Sequence, residues 1–370
     1  MITKFSVTNF KGFNQEFIFD LKDTNGYNFN KASIKDGVVN NALVYGHNGV
    51  GKSNLGLALF DIVGQLTDKN INQHEYDFYL NANNSSDVAS FRYELLLNNS
   101  TVVYEYEKKD SKTVIAEKFF INDNLLASID KRNSEHAKIK FKGTENLKKE
   151  LTNNNLSLLK YIKNNSLLDE NKDNSTLLEF YNFIDKMLLF RSLEDKKYIG
   201  LEVGAVSVQQ DIINRKNVPD LERFLNKAGI KCNLSVIKEF DNDILTFKFG
   251  NKNIPFAEIA SQGTKALAIF YFWLQRLKEK SVVSFLFIDE FDAFYHHELS
   301  EIIIEALKKT GIQFILTTHN TSVMSNDLLR PDCYFLMYKD SIKSLAKNTT
   351  KELREAHNIE KMYKAGSFDV

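Results

Sequence analysis

The eight residues Gly46-His47-Asn48-Gly49-Val50-Gly51-Lys52-Ser53 constrain this chain more than any other stretch. They satisfy the pattern G-x-x-x-x-G-K-[ST], in which a glycine-rich loop between a strand and a helix cradles phosphate. The flanks fit. Apolar Ala42-Leu43-Val44-Tyr45 precedes the loop as a buried strand does, and an apolar run from Leu55 to Val63 follows as a buried helix does. Three glycines allow a concave nest of backbone N–H groups aimed at phosphate oxygens. Lys52 supplies a point charge for the β- and γ-phosphates, and the Ser53 hydroxyl is a candidate Mg²⁺ ligand. Asn54 adjoins the loop and completes the nucleotide-binding candidates. The loop does not read the base, so ATP and GTP both remain open.

Three later stretches supply the rest of a site. Phe285-Leu286-Phe287-Ile288-Asp289-Glu290 is an apolar strand ending in two carboxylates. A buried strand delivers such acids to the crevice beside a phosphate loop. Asp289 is then placed to hold Mg²⁺ with Ser53, and Glu290 to act as general base on an attacking water. Ser261-Gln262-Gly263-Thr264-Lys265-Ala266-Leu267 opens a long apolar helix, where orphan N–H groups, the dipole and a hydroxyl suit an anion. An ordinary serine cap explains the same residues. Phe314-Ile315-Leu316-Thr317-Thr318-His319 is a further buried strand, and its terminal histidine either bonds the γ-phosphate or water, or is simply a satisfied strand-end residue.

Between the two halves the periodicity changes. Ile2, Phe5 and Val7 begin a strand whose return partner is Phe17-Ile18-Phe19. Alternation resumes from Ser90, and turn residues Asn98-Asn99-Ser100 and Asn122-Asp123-Asn124 punctuate it, which predicts antiparallel hairpins. From about 144 the pattern is helical: Leu177, Tyr181, Ile184 and Leu188 share one face, and Pro219-Asp220 opens another helix that Gly229 stops. The expected divisions are a first half of the core over 1–87, an antiparallel β-lobe over 88–143, a compact helical insert over 144–235 and a second half of the core over 236–370. No heptad persists for three repeats, so long coiled-coil arms are not expected.

The order of these pieces resembles the ABC/SMC-type ATPases. Ser261 to Leu267 looks like their signature motif, Asp289-Glu290-Phe291-Asp292-Ala293 like the acid pair running into the D-loop, and His319 like the switch histidine. Asn9-Phe10-Lys11-Gly12-Phe13 is similar to the opening turn of SMC-like members. Within that group the chain most resembles the compact AAA-family ATPases of bacterial phage-defence and abortive-infection systems, including the ATPase portion of OLD-family proteins. Arg330-Pro331-Asp332 and the tail from Asn358 to Ser367 also look like features of that group. The resemblance implies an α/β fold, an ABC-ATPase-type P-loop core carrying the β-lobe and the helical insert. It further implies ATP as substrate with Mg²⁺, and a head-to-tail homodimer or higher oligomer. In that dimer Gly46 to Ser53, Asp289, Glu290 and His319 of one subunit face Ser261 and Gly263 of the other. Three departures stand out: Gln262 where the family's usual pattern has Gly, His296 at the end of the D-loop where it has Asp, and no clear Q-loop glutamine, Gln65 and Gln73 lacking its context. No Toprim-like nuclease follows before Val370, so the expected effector is a separate nuclease, Toprim or toxin protein.

Composition narrows the alternatives. With 48 basic and 48 acidic residues the net charge is zero, so any DNA-binding face must be local. The best local clusters are Lys131, Arg132, Lys138, Lys140 and Lys142, and the helically spaced Lys339, Lys343, Lys347 and Lys351; lysine-protected edges or solvated faces explain both. A RecF-like or zinc-hook DNA-repair ATPase is the main alternative reading. The long interval between Lys52 and Ser261 argues against a transporter subunit. Two distant cysteines, Cys232 and Cys333, suit a reducing cytoplasm and give no zinc spacing, and no apolar run is long enough to span a membrane.

Overall fold

Alternating apolar residues in the first fifth of the chain and in its second quarter build one sheet, although the phosphate-loop helix separates them. Strands β1 (Ile2–Thr8) and β2 (Phe17–Asp20) pair antiparallel. A two-residue ribbon, β3 (Ile34–Lys35) with β4 (Val38–Val39), leads to β5 (Asn41–Tyr45) and helix α1 (Lys52–Leu66). The meander β6 (Ala89–Leu97), β7 (Ser100–Lys108), β8 (Val114–Ile121), β9 (Asn124–Asp130) and β10 (Ser134–Ile139) then extends from β1, giving the order β10-β9-β8-β7-β6-β1-β2. The hairpins expected after Ser90 therefore continue the amino-terminal hairpin as a single seven-stranded sheet. This computed structural model describes residues 1–69, 71–153, 155–191, 198–201, 207–239, 242–293 and 297–368.

The remainder of the chain completes a second sheet. Helices α2 (Leu158–Asn165) and α3 (Lys172–Asp185) precede β11 (Met187–Arg191) and β12 (Tyr198–Gly200). Helices α4 (Val208–Asn214) and α5 (Val218–Lys227) follow, then a three-stranded sheet of β13 (Leu234–Glu239), β14 (Asn242–Phe249) and β15 (Lys252–Pro255). The short α6 (Phe256–Ile259) and long α7 (Gln262–Leu277) lead to β16 (Phe285–Asp289), α8 (His297–Lys308) and β17 (Gln313–Thr318). Strands β18 (Tyr334–Met337) and β19 (Ile342–Ser344) and helix α9 (Ile359–Lys364) close the chain. The core sheet runs β12-β11-β16-β17-β5-β18-β19, its five central strands parallel and only the two edges antiparallel. Its central strands are buried along nearly their whole length, which is why they read as uninterrupted apolar runs.

Helix α1 lies between the two sheets. On one side a Cβ on Gly56 would approach Phe287 Cε1 to 2.7 Å, so only glycine lets the helix pack this closely on β16. On the other, Tyr93 donates to the Ala58 carbonyl at 2.8 Å and Tyr76 to that of Leu57 at 3.1 Å. Asp61 and Lys108 form a fully buried ion pair at 3.0 Å, and Tyr79 and Tyr106 each donate to the Asp61 carboxylate at 2.9 Å. A helix covered on both faces has no polar stripe. Gln313 ties the sheets directly, accepting from Ile2 N and donating to the Ile2 carbonyl, both at 2.8 Å.

Two expectations give way. Leu188 does not extend the helical face of Leu177, Tyr181 and Ile184; α3 stops at Asp185 and Leu188 lies in β11, inside the core sheet. Lys339, Lys343, Lys347 and Lys351 do not share a helix either: Lys343 is on β19, and Lys347 ends a 3₁₀ turn and pairs with Asp23 at 2.8 Å.

Candidate functional site

All the candidate residues of the core sheet gather at the carboxyl ends of its parallel strands, the end where open α/β sheets bind ligands. The loop after β5 is shaped by its glycines. Gly49 and Gly51 adopt φ of 82° and 107°, and a Cβ on Gly46 would come within 2.8 Å of the Met337 carbonyl oxygen. Lys52 is buried, and its ammonium turns back across the loop, donating to the carbonyls of Gly46 at 2.7 Å and His47 at 3.2 Å. It also donates to His319 Nε2 at 2.9 Å. Burial lowers the Lys52 pKa, against the opposing pull of Asp289 and Glu290. Burial first and the Lys52 charge second hold the His319 imidazole below its ordinary pKa, so it faces Lys52 as a neutral acceptor at neutral pH.

The acid pair sits on the next strand but one from the loop. Asp289 is buried at the end of β16; one oxygen accepts from Thr317 Oγ1 at 2.8 Å and the other faces Arg191 Nε at 3.3 Å. Glu290 follows with φ 51°, a left-handed conformation unusual for a side-chain-bearing residue. Its N–H donates to the same Thr317 hydroxyl at 2.8 Å, and its carboxylate lies 3.9 Å from His319 Nε2. Thr318 donates to Asp292 at 2.7 Å, while burial pushes the Asp292 carboxyl up to about 6. The two threonines of β17 thus fix the turn that carries Asp289, Glu290 and Asp292. Sequence reading passed over both, along with Arg191; the signal available was their adjacency to His319, and for Arg191 the apolar run that ends in it.

The donor set fits Mg²⁺ in one respect. A Ser53 hydroxyl and an Asp289 carboxylate are hard oxygen ligands, and no cluster of three histidine, cysteine or acidic residues able to hold a metal exists among the described residues. Mg²⁺ characteristically takes few protein ligands and completes its shell with water and substrate phosphates. Arg191 occupies the outer oxygen of Asp289, so direct coordination through that oxygen requires the guanidinium to move.

Ser261 caps α7, its Oγ accepting from Thr264 N at 3.1 Å. Ser261 and Gln262 are exposed, Gly263 is half-buried, and no hydrogen bond joins this turn to the phosphate loop among the described residues. Gln65 lies far from any such role: it is buried near the other end of α1 and donates to Glu117 at 3.1 Å, while Gln73 is exposed and accepts from Ser111 at 3.3 Å. His296 falls outside the described residues. Arg330 and Asp332 form a buried two-pronged pair at 2.9 and 2.7 Å, and Asp332 also accepts from Asn25 N, which makes this motif an anchor for the 23–26 loop. The tail reaches the site, with Tyr363 of α9 packing edge-on against Tyr45 at 5.1 Å.

The opening turn completes the surroundings. The Phe13 ring lies beside Gly51, and a Cβ on Gly12 would sit 3.1 Å from the Asn54 amide. Lys11 N and Nζ in turn hold the carbonyls of Tyr79 and Asp77 at 2.9 and 2.8 Å. Between them Phe78 projects into solvent, 93% exposed and with φ 53°.

A glycine nest and lysine after one parallel strand, an acid pair after a second and a histidine after a third are the parts of a P-loop nucleotide site. Residues 42–325, more than three quarters of the chain, match the family described as "AAA domain, putative AbiEii toxin, Type IV TA system", and the chain belongs to that family. Among solved structures it is similar to the SMC head domain from Thermotoga maritima, at 16% identity over 93% of this chain and 98% of that one, TM-score 0.43. It is similar to an SMC head bound to the C-winged helix domain of ScpA, at 16% identity over 94% and 98%, TM-score 0.48. It is also similar to an SMC head with an extended coiled coil bound to the C-terminal domain of ScpA from Pyrococcus furiosus, at 13% identity over 94% and 97%, TM-score 0.46. No curated protein sequence matches the chain. No described helix is long and apolar enough to cross a membrane.

Proposed function

We propose that this chain binds and hydrolyses ATP, and that it does so fully only when two copies meet. Gly46 to Asn54 would wrap the phosphates, with Lys52 exchanging its loop carbonyls for β- and γ-phosphate oxygens. Ser53 and Asp289 would hold Mg²⁺, which when bound offsets the charge of the phosphate oxygens. Glu290 would take the proton of the attacking water, and His319 would orient that water or the γ-phosphate. The observation that supports this most directly is the convergence of Lys52, His319 and Glu290 within one chain of contacts at 2.9 and 3.9 Å.

The position of the signature turn supports a dimer: among the described residues Ser261 and Gly263 begin a helix whose start makes no hydrogen bond to its own phosphate loop, and in this reading they face the phosphates of a second molecule, joined head to tail. Sedimentation velocity of Glu290→Gln with ATP and Mg²⁺ tests this. We expect a species of twice the monomer mass that vanishes with ADP; a nucleotide-saturated monomer would sink the sandwich.

For the biological role we propose a cytoplasmic sensor or regulator acting on a separate nuclease, Toprim or toxin effector in anti-phage defence by abortive infection. The description of the family, which names a putative toxin of a toxin–antitoxin system, supports a place in such a system but not the separation of regulator from effector. Phage challenge of cells carrying Lys52→Ala should show lost protection; undiminished protection would refute the role. The DNA-repair reading is less favoured, because Lys131 is engaged with the Asn153 and Leu156 carbonyls and Arg132 with Asp130 and Glu107. Their neighbours Lys138 and Lys140 lie on and just past the edge strand β10, where lysines protect against pairing. A salt-dependent affinity for DNA, measured on this chain alone, would restore it.

A further inference from the structure

Helices α5, α7 and α8 leave an open groove of about 860 Å³ between them, on a part of the molecule that the ATP site does not use. Its floor is apolar: Phe224 of α5, Leu274 of α7, and Ile302 and Ala306 of α8, with Phe224 and Ile302 only partly covered by the core. Its rim is charged, and the two signs are not in the same condition. Asp220 already accepts from Tyr271 at 2.7 Å and Arg223 at 2.9 Å; Glu305 is paired with Lys308 at 2.6 Å, and Glu301 is likewise engaged. Lys227, Lys278, Lys280 and Lys309 are exposed and form no ion pair among the described residues. In a chain with 48 basic and 48 acidic residues, the groove therefore offers a surplus of unpaired positive charge around an apolar trough.

We propose that this groove docks an acidic amphipathic helix of a separate protein. Apolar side chains at helical spacing would fill the floor, and carboxylates flanking them would reach the four lysines. A duplex nucleic acid fits less well, because its phosphates gain nothing from the apolar floor and would meet the Asp220, Glu301 and Glu305 carboxylates. The two long walls have a further meaning. Helix α7 begins at the signature turn, and α8 is the first helix after the acid pair, so the docked helix would touch both elements that follow nucleotide-contacting segments. That coupling rests on the ATPase reading; the docking itself does not.

The test uses the full chain and three fluorescein-labelled 18-residue peptides measured by anisotropy: one with Leu on one helical face and Glu on the other, one with Leu and Lys, and one with Ser and Glu. Only the Leu/Glu peptide should bind. Its affinity should fall at least tenfold in Lys278→Glu/Lys309→Glu, whose melting temperature should match the parent because both side chains are exposed, and, independently, in Ile302→Glu, whose fold is checked by circular dichroism. Equal binding of the Leu/Lys peptide, or affinity unchanged by both variants, would overturn the proposal. So would a 20-base-pair duplex that binds in the same place and is weakened by the same substitutions, or a dimer of the unliganded chain that these substitutions dissociate. If ATP fails to alter peptide affinity while the substitutions still abolish it, docking stands and the coupling falls.

Discussion

The buried pair of Lys108 and Asp61 offers a sharp test of how the phosphate-loop helix is held. Asp61 is 2% exposed and Lys108 1%. Replacing Lys108 with Met keeps the volume of the stem but leaves the Asp61 carboxylate with only the Tyr79 and Tyr106 hydroxyls. Orphaning one member of a buried pair costs about 3–5 kcal/mol. Unfolding entropy of about 2.1 cal/mol/K per residue over the 370 residues is about 0.8 kcal/mol/K, so the melting temperature should drop by about 4–6 °C. Adding Asp61→Asn removes the stranded charge while keeping an acceptor for the tyrosines, and should recover a good part of that loss. Differential scanning calorimetry on the wild type, the single variant and the double variant reads all three. A single variant within 1 °C of wild type, or a double variant no better than the single, would show that the pair does not carry the attachment of α1 to the antiparallel sheet.

Other consequences can be measured as directly. Glu290→Gln should reduce ATP turnover by about 10² to 10⁴ while leaving nucleotide affinity within a few-fold, whereas Lys52→Ala should lose affinity; equal turnover in Glu290→Gln would remove that residue from the chemistry. Thr317→Val strips the hydroxyl shared by Glu290 N and Asp289, and we expect turnover to fall at least tenfold with ATP affinity retained, in a phosphate-release assay run beside fluorescent-nucleotide titration. Asp292, raised from 3.8 to about 6 by burial, contributes stability that is complete below about pH 4 and lost as pH rises through about 6, at most about 3 kcal/mol. Urea melts from pH 4 to 7 should show that decline, shared with Glu117, which burial also raises to about 6. Asp292→Asn should flatten it, and an unaltered slope would count against this assignment.

How far the sequence could be read depended on whether neighbouring residues or distant ones decide the structure. The phosphate loop was legible because its glycines and lysine answer to local geometry, positive φ at Gly49 and Gly51 and a close backbone approach at Gly46. Strands β16 and β17 were legible because parallel strands buried on both faces leave continuous apolar runs. The same property hid β11: Met187 to Phe190 is an equally continuous run, but Leu188 stands four residues beyond Ile184, so its spacing also continues the face of α3. Only the vacancy beside β16 decides between the two. The union of the early hairpin with the later meander depends on pairing of β1 with β6, such as Phe5 with Tyr93, separated by strands β2 to β5 and the whole of α1. The shared Thr317 hydroxyl belongs to the same class of facts, since it matters only once β16 and β17 are neighbours.

Enclosure of α1 on both sides has a consequence for motion. Twelve of its fifteen residues are buried, including Lys52 at its first position. From Leu55 onward its amide protons should exchange only on global unfolding, so the body of the helix beneath the proposed phosphate site ranks among the most protected parts of the molecule. Binding loops usually come from the opposite end of that scale. Here a bound nucleotide would meet a fixed wall on the α1 side, and any displacement it causes would fall to the less buried segments around it, the exposed turn at Ser261 among them in the proposed reading.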